Sequence, residues 1–258
     1  MRSAGADATP SPALPAYAYR VVQHRYPDGR TARVHVVSID LCRAGISLRA
    51  TSPDEGPSTV RTWARRVNAI AAINGDFFDL PGPRPLGPAR GAGRDWPART
   101  AFYYDAILAM RDGSPPTIFA RPPDASWTDF VSSQEVVVVD GEPRLSPDVV
   151  HSRNRHPRSA VGFSRDGHTM LLVLVEGRTP RSAGATTREL GLIVRDLGAW
   201  RALRLDGGGS STLYLGARGI VNVPADGRER VVANHLGVVV DASPSAHVPA
   251  WCTDRVIP

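Results

Sequence analysis

Residues 203–215 read LRLDGGGSSTLYL, and no other stretch constrains the chain as strongly. Two apolar, strand-like segments flank Asp206, the glycines Gly207, Gly208 and Gly209, and the serines Ser210 and Ser211. Three consecutive glycines pack no side chains and lose much backbone entropy on folding. A fold accepts that where the chain turns sharply or where a ligand or second backbone comes close. An acid before the turn and two hydroxyls after it then gather a carboxylate, backbone N–H groups and O–H groups in one small volume. The stretch also suits a plain hairpin turn whose aspartate bonds its own backbone. It is not a phosphate-cradling P-loop, because the Gly-Lys-Ser/Thr ending and the helix after it are missing.

The 258-residue chain contains no lysine, so all 31 basic residues are arginines. Lysine Schiff-base and lysine-base mechanisms are thereby excluded. With the abundant Ala, Gly and Pro, this bias points to a GC-rich genome of actinobacterial type. The formal charge of +6 admits an anionic ligand. The arginines are scattered rather than gathered in a run, and nucleic-acid motifs are absent, so no nucleic-acid partner is expected. No apolar run spans a bilayer and the N-terminus lacks a signal-peptide core, so the expectation is a cytoplasmic protein with no membrane partner. Cys42 and Cys252 lie far apart, which predicts a buried thiol and a tail thiol rather than a disulfide or a metal site. No cofactor or metal is expected. His151 and His156 lack a third ligand and read as a solvated basic loop, and Asp76 with Asp79 makes a poor cation site.

Along the chain, residues 1–17 form a Pro/Ala/Ser tail, 18–242 a single domain, and 243–258 a second tail. A hairpin turning through Pro27-Asp28-Gly29 is predicted between residues 18 and 48. Ser58 caps a short helix with Val60, Trp63, Ala64 and Val67 on one face. Residues 80–100 are dense in Pro, Gly and Arg without periodicity, which suits a substrate-side flap or a surface insertion. Strands follow at Ala106–Met110, Thr117–Ala120, Glu135–Asp140, Ser159–Phe163 and Thr169–Val175. Thr186-Thr187-Arg188-Glu189 fits a capping box opening a helix with Leu190, Ile193, Val194 and Leu197 on one face, ended by Gly198. Strands Ala202–Leu205 and Leu236–Val240 complete the pattern.

Several polar residues end an apolar strand or open the loop after it: Asn74 and Asp76, Glu176 and Arg178, and Asp206. If those strands are neighbours, the side chains converge on one edge of a sheet. INGDFF (73–78), PRSAVGF (157–163), LVEGR (174–178), GATTREL (184–190), LGAWRALRLDGGGSST (197–212) and NHLGVVV (234–240) occur together and in order. In type and spacing this set resembles the phosphodiester glycosidase family over residues 70–240. The resemblance implies an α+β domain with a mixed β-sheet, a few packed helices and an active site at strand ends and connecting loops. It also implies hydrolysis between a sugar anomeric carbon and a phosphodiester oxygen.

By motif, the resemblance assigns the site to Asn74, Arg158, Glu176, Thr187, Asp206, Gly208, Ser210 and Ser211. Two departures from the family pattern are Asp76, where a glycine is usual, and Glu176, where an aspartate is usual. Asp206, Glu176 and Arg158 are the expected catalytic set, with Asn74, Asp76, Arg178, Thr187, Gly207, Gly208, Ser210, Ser211 and His235 binding substrate. The chemistry suits these types. Glycosyl transfer to water passes through an oxocarbenium-like state commonly flanked by two carboxyl groups. A phosphodiester leaving group is a weak base, so it needs charge neutralisation more than a proton, and arginine grips two phosphate oxygens at once. The backbone N–H groups of 207–211 offer an additional anion cradle, and His235 a proton shuttle. The expected partner is a small-molecule phosphosugar, with N-acetylglucosamine removed from a phosphorylated natural-product-type molecule. The alternatives are a phosphatase or phosphodiesterase attacking phosphorus, and a phosphosugar-binding module without turnover.

Overall fold

The strand Thr169–Val175 (TMLLVLV) shows how the apolar runs are used. Met170, Leu172 and Leu174 face one core, while Leu171, Val173 and Val175 face another. Successive strand residues point to opposite sides of a sheet, so a run without polar residues must be covered on both. The computed structural model describes residues 16–97, 106–144, 150–243 and 245–253. Residues 1–15, 98–100 and 254–258, parts of the expected tails and loop, lie outside them.

This strand sits inside a seven-stranded sheet ordered Tyr17–Arg25, Thr31–Asp40, Thr169–Val175, Arg158–Phe163, Arg201–Arg204, Val136–Val139 and Glu142–Pro143. One face is covered by the helix Thr187–Asp196 through Leu190, Ile193 and Val194. Thr186 caps that helix by accepting from the Glu189 N–H, and the Glu189 carboxylate accepts the Thr186 N–H in return. The other face packs on two five-stranded sheets through a core that includes Leu172, Ile73 and Leu108. One is ordered Gly219–Ile220, Leu213–Leu215, Ala71–Asn74, His235–Val240 and Ile46–Ala50; the other is built around Ala106–Met110 and Asp129–Ser133.

The domain is α+β with strand dominating. Among the described residues every pairing is antiparallel, where a mixed sheet was expected. The reason is topological. The helix Thr187–Asp196 connects two strands of like direction, but they flank Arg158–Phe163 on opposite sides, so no parallel pair forms. The first helix runs Val60–Arg66 and is capped by Thr59 rather than Ser58; Ser58 instead bridges to Val232. Within the Pro/Gly/Arg-rich segment, Arg84–Pro85 pairs with Phe78–Asp79, and Arg90–Gly91 pairs with Arg94–Asp95 and Phe130. Trp96 is buried and its Nε1–H donates to the Thr51 carbonyl at 2.8 Å. The segment is thus anchored to the domain through the buried Pro85, Ala89, Gly91 and Trp96, while Arg84 and residues 92–95 stay exposed. Among the described residues no helix is long and apolar enough to cross a membrane.

Cys42 and Cys252 form a disulfide, with Cα atoms 5.5 Å apart, which corrects the expectation of two thiols. Tertiary contacts bring the turn after Thr31–Asp40 against the 3₁₀ turn Ala250–Cys252, and nothing local in the sequence announces it. The bridge joins residues 210 positions apart. Cross-links of this kind stabilise mainly by restricting the unfolded chain, typically by about 2–4 kcal/mol. Urea unfolding of Cys42→Ser is expected to show a loss of that size. Dithiothreitol should impose a similar loss on the wild type and none on the variant.

Candidate active site

The strand order brings three of the expected elements together. Arg158–Phe163 lies between Thr169–Val175 and Arg201–Arg204, with Arg158 opposite Val175 and Ala160 opposite Arg204. Arg158, Glu176 and Asp206 consequently emerge at one end of three adjacent strands. At this end a cleft of about 340 Å³ is lined by Phe77, Gln134, His156, Arg158, Arg178, Arg204, Asp206, Gly207–Gly209 and Arg230. Among the described residues its lining holds four arginines and one carboxylate.

Asp206 is fixed from several directions. Its N–H donates to the Gly75 carbonyl at 3.0 Å, and its carbonyl accepts from Asn74 Nδ2 at 2.7 Å. Oδ1 accepts the Gly207 N–H at 2.8 Å, and the Ser210 hydroxyl also bonds the carboxylate. Burial raises the Asp206 pKa above the ordinary carboxylate value, against the lowering effect of those bonds and of Arg230 and Arg204. Arg158 is buried, with Nε donating to the Ala185 carbonyl at 2.9 Å and Nη2 to the Asn154 carbonyl at 3.1 Å. Its pKa falls to about 10, from burial first and the nearby Arg204 charge second. Arg178 is exposed on the rim, at φ 60°, with Nη2 3.2 Å from His156 Nδ1.

Two cleft arginines, Arg204 and Arg230, had no signal in the sequence. Arg204 pairs with Glu135 at 3.1 Å, donates to Gln134 at 2.8 Å and lies 4.7 Å from the Phe77 ring centroid. Arg230 pairs with Asp226 at 2.5 Å and reaches Ser210 Oγ at 3.4 Å. His156, read as part of a solvated loop, is a wall of the cleft instead, because its main chain is bridged to Ala185. An isolated arginine or histidine carries no periodicity, and only the fold says what it faces.

The triple glycine is explained position by position. A Cβ on Gly207 would lie 2.8 Å from the Pro157 carbonyl, and Gly208 has φ 63° with the Arg178 guanidinium above it. Gly209 is covered by the Arg230–Asp226 pair, into which a Cβ would collide. The expected cradle of N–H groups is largely consumed by the chain itself. Gly207 donates to Asp206, Gly208 to the Pro157 carbonyl, Ser210 to Gly207 and Ser211 to Gly208.

The remaining expected residues stand behind the cleft rather than in it. Asn74 is fully buried and joins the sheets: Oδ1 accepts from Ser159 Oγ at 2.8 Å and from the Thr212 N–H at 3.3 Å, while Nδ2 holds Asp206. Glu176 is buried outside the lining, with Oε1 bonded to His35 Nε2 at 2.7 Å and to the Val223 N–H at 3.0 Å. Burial pushes its pKa up, but these bonds and the nearby His35 and Arg33 charges outweigh it and leave it below the usual value. Thr187 opens its helix, the capping role going to Thr186, and the buried Thr187 and Ser211 hydroxyls have no hydrogen-bond partner among the described residues.

Two assignments are corrected. His235 is fully buried, stacked 5.0 Å from Trp63, with Nδ1 2.7 Å from Thr51 Oγ1 and Nε2 3.2 Å from the Ser58 carbonyl. Burial lowers its pKa to about 3, so it stays neutral and has no ring atom left for a shuttle. Asp76 adds no carboxylate to the cleft. It is buried, with Oδ1 accepting from the Ser132 N–H and hydroxyl and Oδ2 from Asn234 Nδ2.

Burial raises the Asp76 pKa to about 7, against those three bonds. An unfolded aspartate titrates near 3.9. The folded state therefore holds its proton to higher pH, and that stabilisation is complete below about pH 4 and lost as pH rises through about 7. Urea unfolding between pH 4 and pH 8 should show wild type losing stability relative to Asp76→Asn, by on the order of 1–4 kcal/mol.

With this geometry in view, the sequence model of the phosphodiester glycosidase family matches residues 67–239. The chain belongs to this family. The match contains the whole cleft lining, from Phe77 to Arg230. Among curated proteins, the SPbeta prophage-derived uncharacterized protein YomE of Bacillus subtilis is 29% identical over 198 residues, covering 70% of this chain and 29% of that protein. The chain thus spans less than a third of that relative. Among solved structures, the catalytic domain of zebrafish N-acetylglucosamine-1-phosphodiester alpha-N-acetylglucosaminidase, auto-inhibited by its pro-peptide, aligns with TM-score 0.73 at 17% identity. The alignment covers 90% of this chain and 86% of that one. A hypothetical protein from Synechocystis aligns with TM-score 0.72 at 18% identity, covering 88% and 62%. At these identities the two structures share the phosphodiester glycosidase chain's fold.

Proposed function

We propose that the cleft hydrolyses the bond between a sugar anomeric carbon and a phosphodiester oxygen. The observation that carries this reading is that, among the described residues, one carboxylate, Asp206, is set among four arginines. Guanidinium groups suit the phosphate, whose negative charge grows as the bond to the sugar breaks. Protonation of so weakly basic a leaving group is dispensable, so the cleft has no need of a carboxylic acid on the phosphate side. Asp206 then serves the sugar side, attacking the anomeric carbon or taking the proton from the water that does. Its bonds to Gly207 and Ser210 hold the carboxylate in one orientation, which such a role needs.

N-acetylglucosamine is the sugar we propose, on a phosphorylated small molecule as the other product. Hydrolysis in oxygen-18 water, followed by mass spectrometry and phosphorus NMR, tests the bond cleaved. Label in the released sugar supports the reading, and label in the phosphate would mean attack on phosphorus and overturn it. The Cys42–Cys252 bridge further supports work in an oxidising compartment rather than the cytoplasm. Thiol labelling in the producing cells should find both cysteines blocked, and free thiols there would sink that part.

A further inference from the structure

A chain of side chains runs from the edge strand of the large sheet to the loop beside the cleft. Tyr19 Oη lies 2.8 Å from His35 Nδ1, His35 Nε2 lies 2.7 Å from Glu176 Oε1, and the Val223 N–H donates to that same oxygen at 3.0 Å. A carboxylate only accepts, so the His35 Nε2–H is the donor to Glu176, and Nδ1 on the other side of the ring meets the Tyr19 hydroxyl. Glu176 and His35 are both buried, and the Arg218 guanidinium covers the Tyr19 ring at 5.2 Å.

Val223 opens the loop that carries Asp226 and Arg230. That loop reaches the cleft through the Arg230–Asp226 pair, seated on Gly209, and through Arg230 on Ser210. Its far end is fastened elsewhere, by Glu229 to the side chain and N–H of Arg61. At the near end Asn222 accepts the Leu213 N–H at 2.8 Å and donates to the Ser211 carbonyl at 3.1 Å, and Glu176 holds the next residue, Val223. Glu176 is not among the residues lining the cleft, and one oxygen of its carboxylate takes two donors, one of them from the loop.

We propose that Glu176 is a positioning residue, oriented by His35 and Tyr19, that docks the Val223–Arg230 loop so that Arg230 meets the phosphate of the substrate. This rests on the reading of the cleft as a phosphate site. It separates Glu176 from Asp206 in role: only an acceptor oxygen is required at 176, and the negative charge is secondary.

The test uses the full chain and three variants, Glu176→Gln, Glu176→Leu and Tyr19→Phe. Inorganic phosphate binding is followed by calorimetry, loop amides by hydrogen exchange, and turnover by phosphorus NMR. Glu176→Gln retains an acceptor oxygen and should bind phosphate within about two-fold of wild type. Glu176→Leu should bind about ten-fold more weakly, a loss of about 1.4 kcal/mol. Its KM should rise by a similar factor with kcat held within about three-fold, and the 223–230 amides should exchange faster. Tyr19→Phe, which removes one hydroxyl at a half-buried position, should show the same pattern in weaker form. A hundred-fold loss of kcat in Glu176→Gln with unchanged phosphate binding would overturn the proposal, because the charge would then be needed for the chemistry. So would unchanged loop exchange in Glu176→Leu. Failure of wild type to bind phosphate would count against the phosphate site itself, and the exchange arm would still judge the tie.

Discussion

Asp206→Asn should reduce turnover of an N-acetylglucosamine 1-phosphodiester by about 10²–10⁴-fold, the range associated with losing a positioned acid–base group. The substitution is nearly isosteric. Its amide oxygen can still accept the Gly207 N–H, so the turn at 207–211 should persist. What disappears is the negative charge that, among the described residues, stands alone against four arginines in the cleft lining. Phosphate affinity should therefore stay level or rise while kcat collapses. Phosphorus NMR with the purified variant checks both, by the rate of product release and by the phosphate concentration that broadens the signal. A variant retaining a third or more of the wild-type rate would remove Asp206 from the chemistry.

Asn74→Ala should produce the largest loss of stability. Its side chain serves Ser159 Oγ, the Thr212 N–H and the Asp206 carbonyl in a fully buried setting. Buried groups left without partners cost about 1–3 kcal/mol each, so a total near 3 kcal/mol or more is expected in urea unfolding. Asn74→Asp separates the two halves of the task. It keeps an acceptor for Ser159 and Thr212 but points a carboxylate oxygen at the Asp206 carbonyl. This variant should fold better than Asn74→Ala and still lose activity, since the backbone carrying Asp206 is pushed off its place. Equal activity in Asn74→Asp and wild type would show that the contact does not position Asp206.

How much of this was legible depended on whether a feature was local. The capping box at Thr186 and Glu189, the hairpin turning at Asp28-Gly29 and the strand Thr169–Val175 each follow from a few adjacent residues, and each is present. The triple glycine marked the right place, although most of the backbone amides there proved to be spent on the chain's own carbonyls and on the Asp206 carboxylate. Features made by distant residues were invisible. Arg204 and Arg230 are single charges among thirty-one arginines, and their facing is decided by strand order and by a loop. Asp129–Ser133 is buried throughout yet reads as DFVSS, too polar to announce a core strand. His235 lies in a family-like motif, but its neighbours Trp63, Thr51 and Ser58 come from far along the chain and make it a core residue.

Joining Cys42 to Cys252 makes the intervening polypeptide a closed covalent ring that contains every residue lining the cleft. One protease cut inside that ring opens it without dividing the molecule, so the nicked protein should run as one species until a reductant separates the pieces. The ring also admits new chain ends. With 42 and 252 held together, the domain could be reopened at an exposed turn such as Asp166-Gly167 and keep both halves of the cleft on one covalent scaffold.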